Sequence, residues 1–243
     1  MTDLIPELRA PSAPAGTGRV QSGMAVSRID GRAKVTGEAQ YAAEYFAPDL
    51  AYGVVVSGTV AKGRITSIDT AEALAVAGVL SVMTHENRPK MRSFDLAWKD
   101  MTAPAGSPFR PLFSDEIFYS GQPVALVLAE TFEAARYAAT LVRVHYDVDA
   151  HETNLLETLD QAYEPRKMKA GFVPPSSIGD GEKAFEAAEV RVDSQYYNGV
   201  EHHNPMEMFA STVIRGENGH LTIYDKTQSS QNSRWYVSHG FGL

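Results

Sequence analysis

The sequence contains no cysteine among its 243 residues. Disulfides, thiolate zinc sites, cysteine nucleophiles and cysteine-ligated iron–sulfur clusters are therefore excluded within it, and any redox chemistry must pass its electrons to another chain. Long hydrophobic runs are also missing: nothing approaches the roughly 18–20 continuous apolar residues of a membrane span. Positive charge is scarce, with 22 Lys and Arg against 30 Asp and Glu, a net charge of −8. Such a chain has no cationic surplus to displace counterions from a phosphate backbone, so nucleic acid is not an expected partner. The opening Met1–Arg9 has neither a basic region nor an apolar run, so no signal peptide is read and a cytoplasmic location is expected. Periplasmic placement would require co-export with a signal-bearing partner. Finally, Gly31, Gly37, Gly53 and Gly58 form no Gly-x-Gly-x-x-Gly run opening a helix, and no P-loop is present, so nucleotide binding has no support.

What is present is an ordinary globular composition, 44% hydrophobic and 21% charged, with length for one large or two modest domains. Residues 1–25 hold Pro6, Pro11, Pro14, Gly16, Gly18 and Gly23 without apolar periodicity and read as an extended arm. Val54–Val56 reads as a buried strand. Thr70–Gly78 reads as a short helix capped by Thr70 and closed by Gly78, and Val79–Thr84 as a return strand. The proline-bearing stretch from 85 to 114 is expected to be a surface loop, whose Phe94, Trp98, Phe109 and Phe113 either line a channel, cover a partner's edge or form a satellite core. Pro123–Ala129 is the most strand-like run. Thr131 caps a following helix with Phe132, Ala135, Ala138, Ala139 and Val142 on one face, and Val142–Asp147 alternates as another strand. Residues 149–180 read as a connector. Beyond them come a capped helix at 179–188, strands at Val190–Tyr197, Phe209–Ile214 and His220–Tyr224 with a turn at 217–219, and a last helix through Trp235. The fold class expected is α+β.

His202, His203 and Glu207 invite a metal reading, but Pro205 interrupts the pair at 203 and 207, the flanks read as strand, and spacing supplies no third ligand. No metal ligand and no catalytic residue is assigned.

Two separated motifs carry a resemblance. Arg28-Ile-Asp-Gly-Arg-Ala-Lys-Val-Thr-Gly-Glu-Ala-Gln-Tyr41 resembles the opening of the a/b hammerhead domain of the xanthine dehydrogenase and aldehyde oxidase family. His202-His-Asn-Pro-Met-Glu207, a strand pair and Lys226-Thr-Gln-Ser-Ser-Gln231 resemble the start of that family's molybdenum-cofactor domain. Ala61-Lys62-Gly63-Arg64-Ile65 looks most like the periplasmic-type aldehyde oxidoreductases; Lys62 and Arg64 are either solvated or in touch with a cofactor phosphate or a neighbouring subunit. The resemblance implies a hammerhead domain at 26–148 and the first part of a second α/β, molybdenum-cofactor-binding domain at 181–243.

It also implies a molybdenum–pyranopterin dinucleotide cofactor in the complete enzyme, oxidation of a small aldehyde or N-heterocycle with water as oxygen source, and iron–sulfur and FAD subunits in a hetero-oligomer. Family members continue past the position of Leu243 through a glycine-rich loop and a catalytic glutamate, so this chain alone is expected to be inactive. A non-catalytic assembly module, or one half of a split subunit, is the competing expectation. Gln228 matches the family glutamine whose amide donates to an oxygen ligand of the metal, with Lys226 in place of the usual small residue; an ordinary strand-to-helix glutamine bonding nearby backbone is the alternative. Glu207 is expected to pair with backbone or a basic side chain.

Overall fold

A computed structural model of the chain describes residues 27–93, 110–162 and 178–243. The expected arm at 1–25, the loop aromatics Phe94, Trp98 and Phe109, and Pro165, Pro174 and Pro175 of the connector lie outside the described residues. Contacts divide the chain into two compact units, one of residues 1–46 with 205–226, the other of residues 47–204 with 227–243.

In the larger unit, β1 (Tyr52–Ser57), β5 (Pro123–Ala129) and β3 (Val79–Met83) form an antiparallel sheet with β5 central. A second sheet places β2 (Gly63–Asp69) between β4 (Glu116–Ile117) and β6 (Arg143–Val148). Because successive side chains leave a strand on opposite faces, the unbroken apolar run of β5 buries both. Ala125 and Val127 pack with Ala73, Val82, Ala138 and Val142, while Val124 packs with Ile65 and Ile117. Val56, Ile68 and Val144 touch both groups, which makes the two sheets one continuous core. A fully buried Val or Ile in this core, such as Val127 or Ile117, contributes about 1.5–3 kcal/mol.

Helix α3 (Phe132–Leu141) starts where the Thr131 hydroxyl accepts from the Ala134 N–H at 3.2 Å. Its Ala135 and Ala138 are fully buried, so the helix backbone comes close to the sheet. Phe132, expected on that face, is instead exposed, since it lies in the first turn before the helix reaches the sheet.

Three local expectations change. Val54–Val56 belongs to a strand paired on one side among the described residues and is buried on one face only, with Val55 turned out. The short helix α2 (Ala71–Leu74) is capped by Asp69, whose carboxylate accepts from the Ala71 N–H at 3.0 Å, and not by Thr70. Gly78 lies beyond that helix in the turn into β3, where its carbonyl accepts from the Glu130 N–H.

The remainder of this unit includes α4 (Gly181–Ala187), capped by the Asp180 carboxylate, and α5 (Ser230–Phe241). Val190–Tyr197 forms no ladder among the described residues, and Val190, Val192, Tyr196 and Tyr197 are exposed. Alternation sorts side chains between two faces, but a strand also needs a neighbour for its N–H and C=O groups.

The smaller unit contains α1 (Gly31–Thr36), a 3₁₀ turn at Ala42–Glu44 and the hairpin of β7 (Ser211–Arg215) and β8 (Leu221–Asp225). The turn expected at 217–219 is present, with Gly219 in the left-handed region and the Gly216 N–H bonded to the His220 carbonyl.

Candidate functional site

In the smaller unit, Ala42 is held at both backbone groups by side chains from distant sequence. The Glu207 carboxylate accepts from the Ala42 N–H at 2.9 Å, and the buried Thr212 hydroxyl donates to the Ala42 carbonyl at 2.8 Å. Glu207 thus pairs with backbone, as its sequence context implied. Thr212 was missed, because a lone threonine in a strand carries no signal of a partner 170 residues away. The Tyr45 and Tyr224 rings stack with centroids 3.5 Å apart, tying the same segment to β8.

The segment joining β8 to α5 carries the one expected cofactor contact. The Lys226 N–H donates to the Ala210 carbonyl at 3.2 Å, which extends the hairpin pairing past Asp225. The Thr227 hydroxyl accepts from the Ser229 N–H at 3.3 Å and from the Ser233 hydroxyl at 2.9 Å. Ser229 then caps α5 by accepting from the Asn232 N–H at 3.4 Å. Both neighbours of Gln228 are therefore anchored. Gln228 itself is exposed at a bend, and its amide bonds no backbone among the described residues.

His202 and His203 are exposed, and the described residues contain no group of three or more His, Cys, Asp or Glu able to hold a metal ion. Lys62 is exposed; Arg64 is committed within the chain, its guanidinium meeting Asp115 at 3.2 Å and Glu116 at 2.6 Å. These carboxylates, Asp115 foremost, hold the Arg64 pKa above its ordinary value.

In the larger unit, the Arg88 and Arg110 guanidinium carbons each lie 4.6 Å from the Phe113 ring centroid. The Arg92 N–H bonds the Gly240 carbonyl near the end of α5. Along α5, Trp235 and His239 stack with centroids 4.0 Å apart. Burial pushes the Tyr236 phenol above its usual range, with Arg110 pulling weakly the other way. Of the loop aromatics, Phe113 thus belongs to a satellite cluster.

Comparison with known proteins is consistent along the chain. Residues 36–150 match the family of aldehyde oxidase and xanthine dehydrogenase a/b hammerhead domains, and residues 160–243 match the molybdopterin cofactor-binding domain. The chain is 36% identical over 203 residues to the aldehyde oxidoreductase molybdenum-binding subunit PaoC of Escherichia coli K12, covering 83% of this chain and 26% of that protein. It is 29% identical over 222 residues to a probable xanthine dehydrogenase subunit of Bacillus subtilis, covering 89% and 28%. Among solved structures it superposes on the aldehyde oxidoreductase of Desulfovibrio gigas with a TM-score of 0.65 at 26% identity, covering 87% of this chain and 24% of that one. The chain therefore spans about a quarter of the length of these relatives. With both domain families matched in this order and the fold shared, the chain belongs to the aldehyde oxidase and xanthine dehydrogenase family of molybdenum-cofactor-binding subunits.

Proposed function

We propose that this chain serves a molybdenum hydroxylase that oxidises aldehydes or N-heterocycles, taking the product oxygen from water. One observation carries the reading: the hammerhead and cofactor-binding domain families are matched consecutively in a chain 36% identical to an aldehyde oxidoreductase's molybdenum-binding subunit.

The residues present fit the cofactor. Gln228 offers an exposed amide with no competing hydrogen bond among the described residues, between two anchored neighbours, at the approach to α5. An amide neither gains nor loses a proton near neutral pH, so it can donate to an oxygen acceptor without changing that group's protonation. Thr227 and Ser229 would limit the backbone motion of this donor, which lowers the entropy lost when it engages. The cofactor proposed is molybdenum held by a pyranopterin dinucleotide, and when bound it supplies the two-electron acceptor and the activated water oxygen. The sequence has no cysteine, so the cysteine-ligated iron–sulfur clusters proposed to accept those electrons would lie outside these 243 residues, with FAD on a partner subunit.

The test is purification of the assembly that contains this chain from cells supplied with molybdate, followed by assay in H₂¹⁸O. Aldehyde-dependent dye reduction and one ¹⁸O atom in the acid product are expected. Activity with ¹⁸O label absent from the product, or an assembly without molybdenum, would refute the reading.

A further inference from the structure

We propose that Ser233 is a positioning residue for Gln228, holding the bend at Gln228 so that its amide is presented to an oxygen acceptor of the cofactor in one direction; the proposal rests on the function proposed above. Ser229 is the cap of α5 and Ser233 the fourth residue inside the helix. The capping needs nothing from the Ser233 side chain. The Ser229 hydroxyl accepts from the Asn232 N–H, and the Ser233 N–H donates to the Ser229 carbonyl, which starts the helical ladder. The Ser233 hydroxyl reaches back out of the helix and donates to the Thr227 hydroxyl oxygen at 2.9 Å, six residues earlier. That same oxygen accepts from the Ser229 N–H at 3.3 Å, closing a side-chain turn with Gln228 at its centre.

Contacts between the first turns of a helix and the chain ahead of it fix the angle at which that chain enters, and the residue before the cap ordinarily makes them with an apolar side chain. Gln228 occupies that position here, and it is exposed. The hydroxyl pair makes the bridge from one residue earlier and leaves the Gln228 amide to a ligand. With Ser229 and Ser233 both donating, the two acceptor lone pairs of the Thr227 hydroxyl are engaged, which restrains its rotamer and the turn around Gln228. Thr227 to Ser233 lie in one compact unit, so this geometry needs no other part of the chain. A donor that must meet its acceptor in the transition state loses effect when it is displaced by a fraction of an ångström.

The experiment compares the wild-type holoenzyme with Ser233→Ala, Ser233→Thr, Gln228→Ala and the Ser233→Ala, Gln228→Ala double variant. Alanine is the better helix former, so Ser233→Ala removes the hydroxyl and keeps α5. Turnover of benzaldehyde per bound molybdenum, KM, and hydrogen exchange at the Ser229 N–H are measured. Ser233→Ala is expected to lower turnover per molybdenum about threefold to tenfold, the loss expected of one misdirected hydrogen bond, with KM unchanged, and to speed exchange at Ser229. Ser233→Thr keeps the hydroxyl and restores both. Because Ser233 acts through Gln228, the double variant turns over no more slowly than Gln228→Ala alone. A further loss in the double variant, wild-type turnover in Ser233→Ala, or unchanged Ser229 exchange in Ser233→Ala each overturns the proposal. Wild-type turnover in Gln228→Ala also overturns it, while aldehyde oxidation by the wild-type holoenzyme leaves the proposed function standing. If the wild-type holoenzyme oxidises no aldehyde, the proposed function fails, and exchange at Ser229 still decides whether Ser233 holds the bend.

Discussion

Glu207 accepts a hydrogen bond from the backbone N–H of Ala42 at 2.9 Å, across 165 residues of sequence. With Thr212 bonded to the carbonyl of the same residue, this fixes where the chain following α1 lies against the hairpin of β7 and β8. A two-stranded hairpin is marginal by itself, so side-chain bonds to a neighbouring segment matter more here than in a wide sheet.

Replacing Glu207 with Ala leaves the Ala42 N–H without its acceptor and should cost about 1–3 kcal/mol. Glu207→Gln keeps an acceptor oxygen and should cost less. Urea denaturation followed by hydrogen exchange at Ala42 checks both; identical Ala42 protection in all three proteins would show that Glu207 does not clamp this segment.

Gly63 is a position where a side chain has no room. Its φ is +149°, and a Cβ placed on it would lie 2.2 Å from the Asp147 carbonyl oxygen, which belongs to the β6 ladder. Gly63→Ala should therefore destabilise the larger unit by about 3 kcal/mol or more. Gly53→Ala is the control, because its Cβ would meet only the Leu126 and Leu128 side-chain ends at 3.3 Å, and a change within about 1 kcal/mol is expected. Denaturation midpoints of the two variants should differ accordingly.

Tyr236 should make stability fall in alkali. Burial raises its folded-state pKa above the unfolded value of 10.0, so the folded chain retains a phenol proton that the unfolded chain releases. The contribution is fully present below pH 10 and is lost as pH rises from there through the folded-state pKa. Tyr236→Phe removes the ionisation, so its denaturation midpoint should decline less steeply above pH 10. A difference titration of wild type against the variant at 295 nm isolates this phenol from the other ten tyrosines. A midpoint at or below 10 would contradict the burial argument.

Gln228→Ala in the holoenzyme should lower turnover more than cofactor content. One neutral donor among many contacts is worth on the order of 1 kcal/mol of binding. A preorganised donor facing developing charge can be worth about 3 kcal/mol in the transition state. Turnover per bound molybdenum is the deciding measurement, and a value equal to wild type would reduce Gln228 to a bend residue between β8 and α5.

Much of the α+β architecture is legible in the residues because its signals are local. The apolar run of Val124–Ala129, the Thr131 cap with its alanine face, and the glycine turn at 219 specify strand, helix and hairpin through chain geometry within a few residues. Motif order likewise carries the family, since a segment such as Lys226–Gln231 keeps its residue types wherever it is placed. Position relative to remote chain is another matter. That Val190–Tyr197 alternates without pairing, and that Arg64 is spent on Asp115 and Glu116, depend on which groups folding brings within a few ångströms. The clamp of Glu207 and Thr212 on Ala42 and the seating of Lys226 over Phe209 belong with these. Periodicity and caps act over one or two turns of chain and are written in sequence. Hydrogen bonds and ion pairs between segments up to 170 residues apart have no local signature, and only tertiary structure decides them.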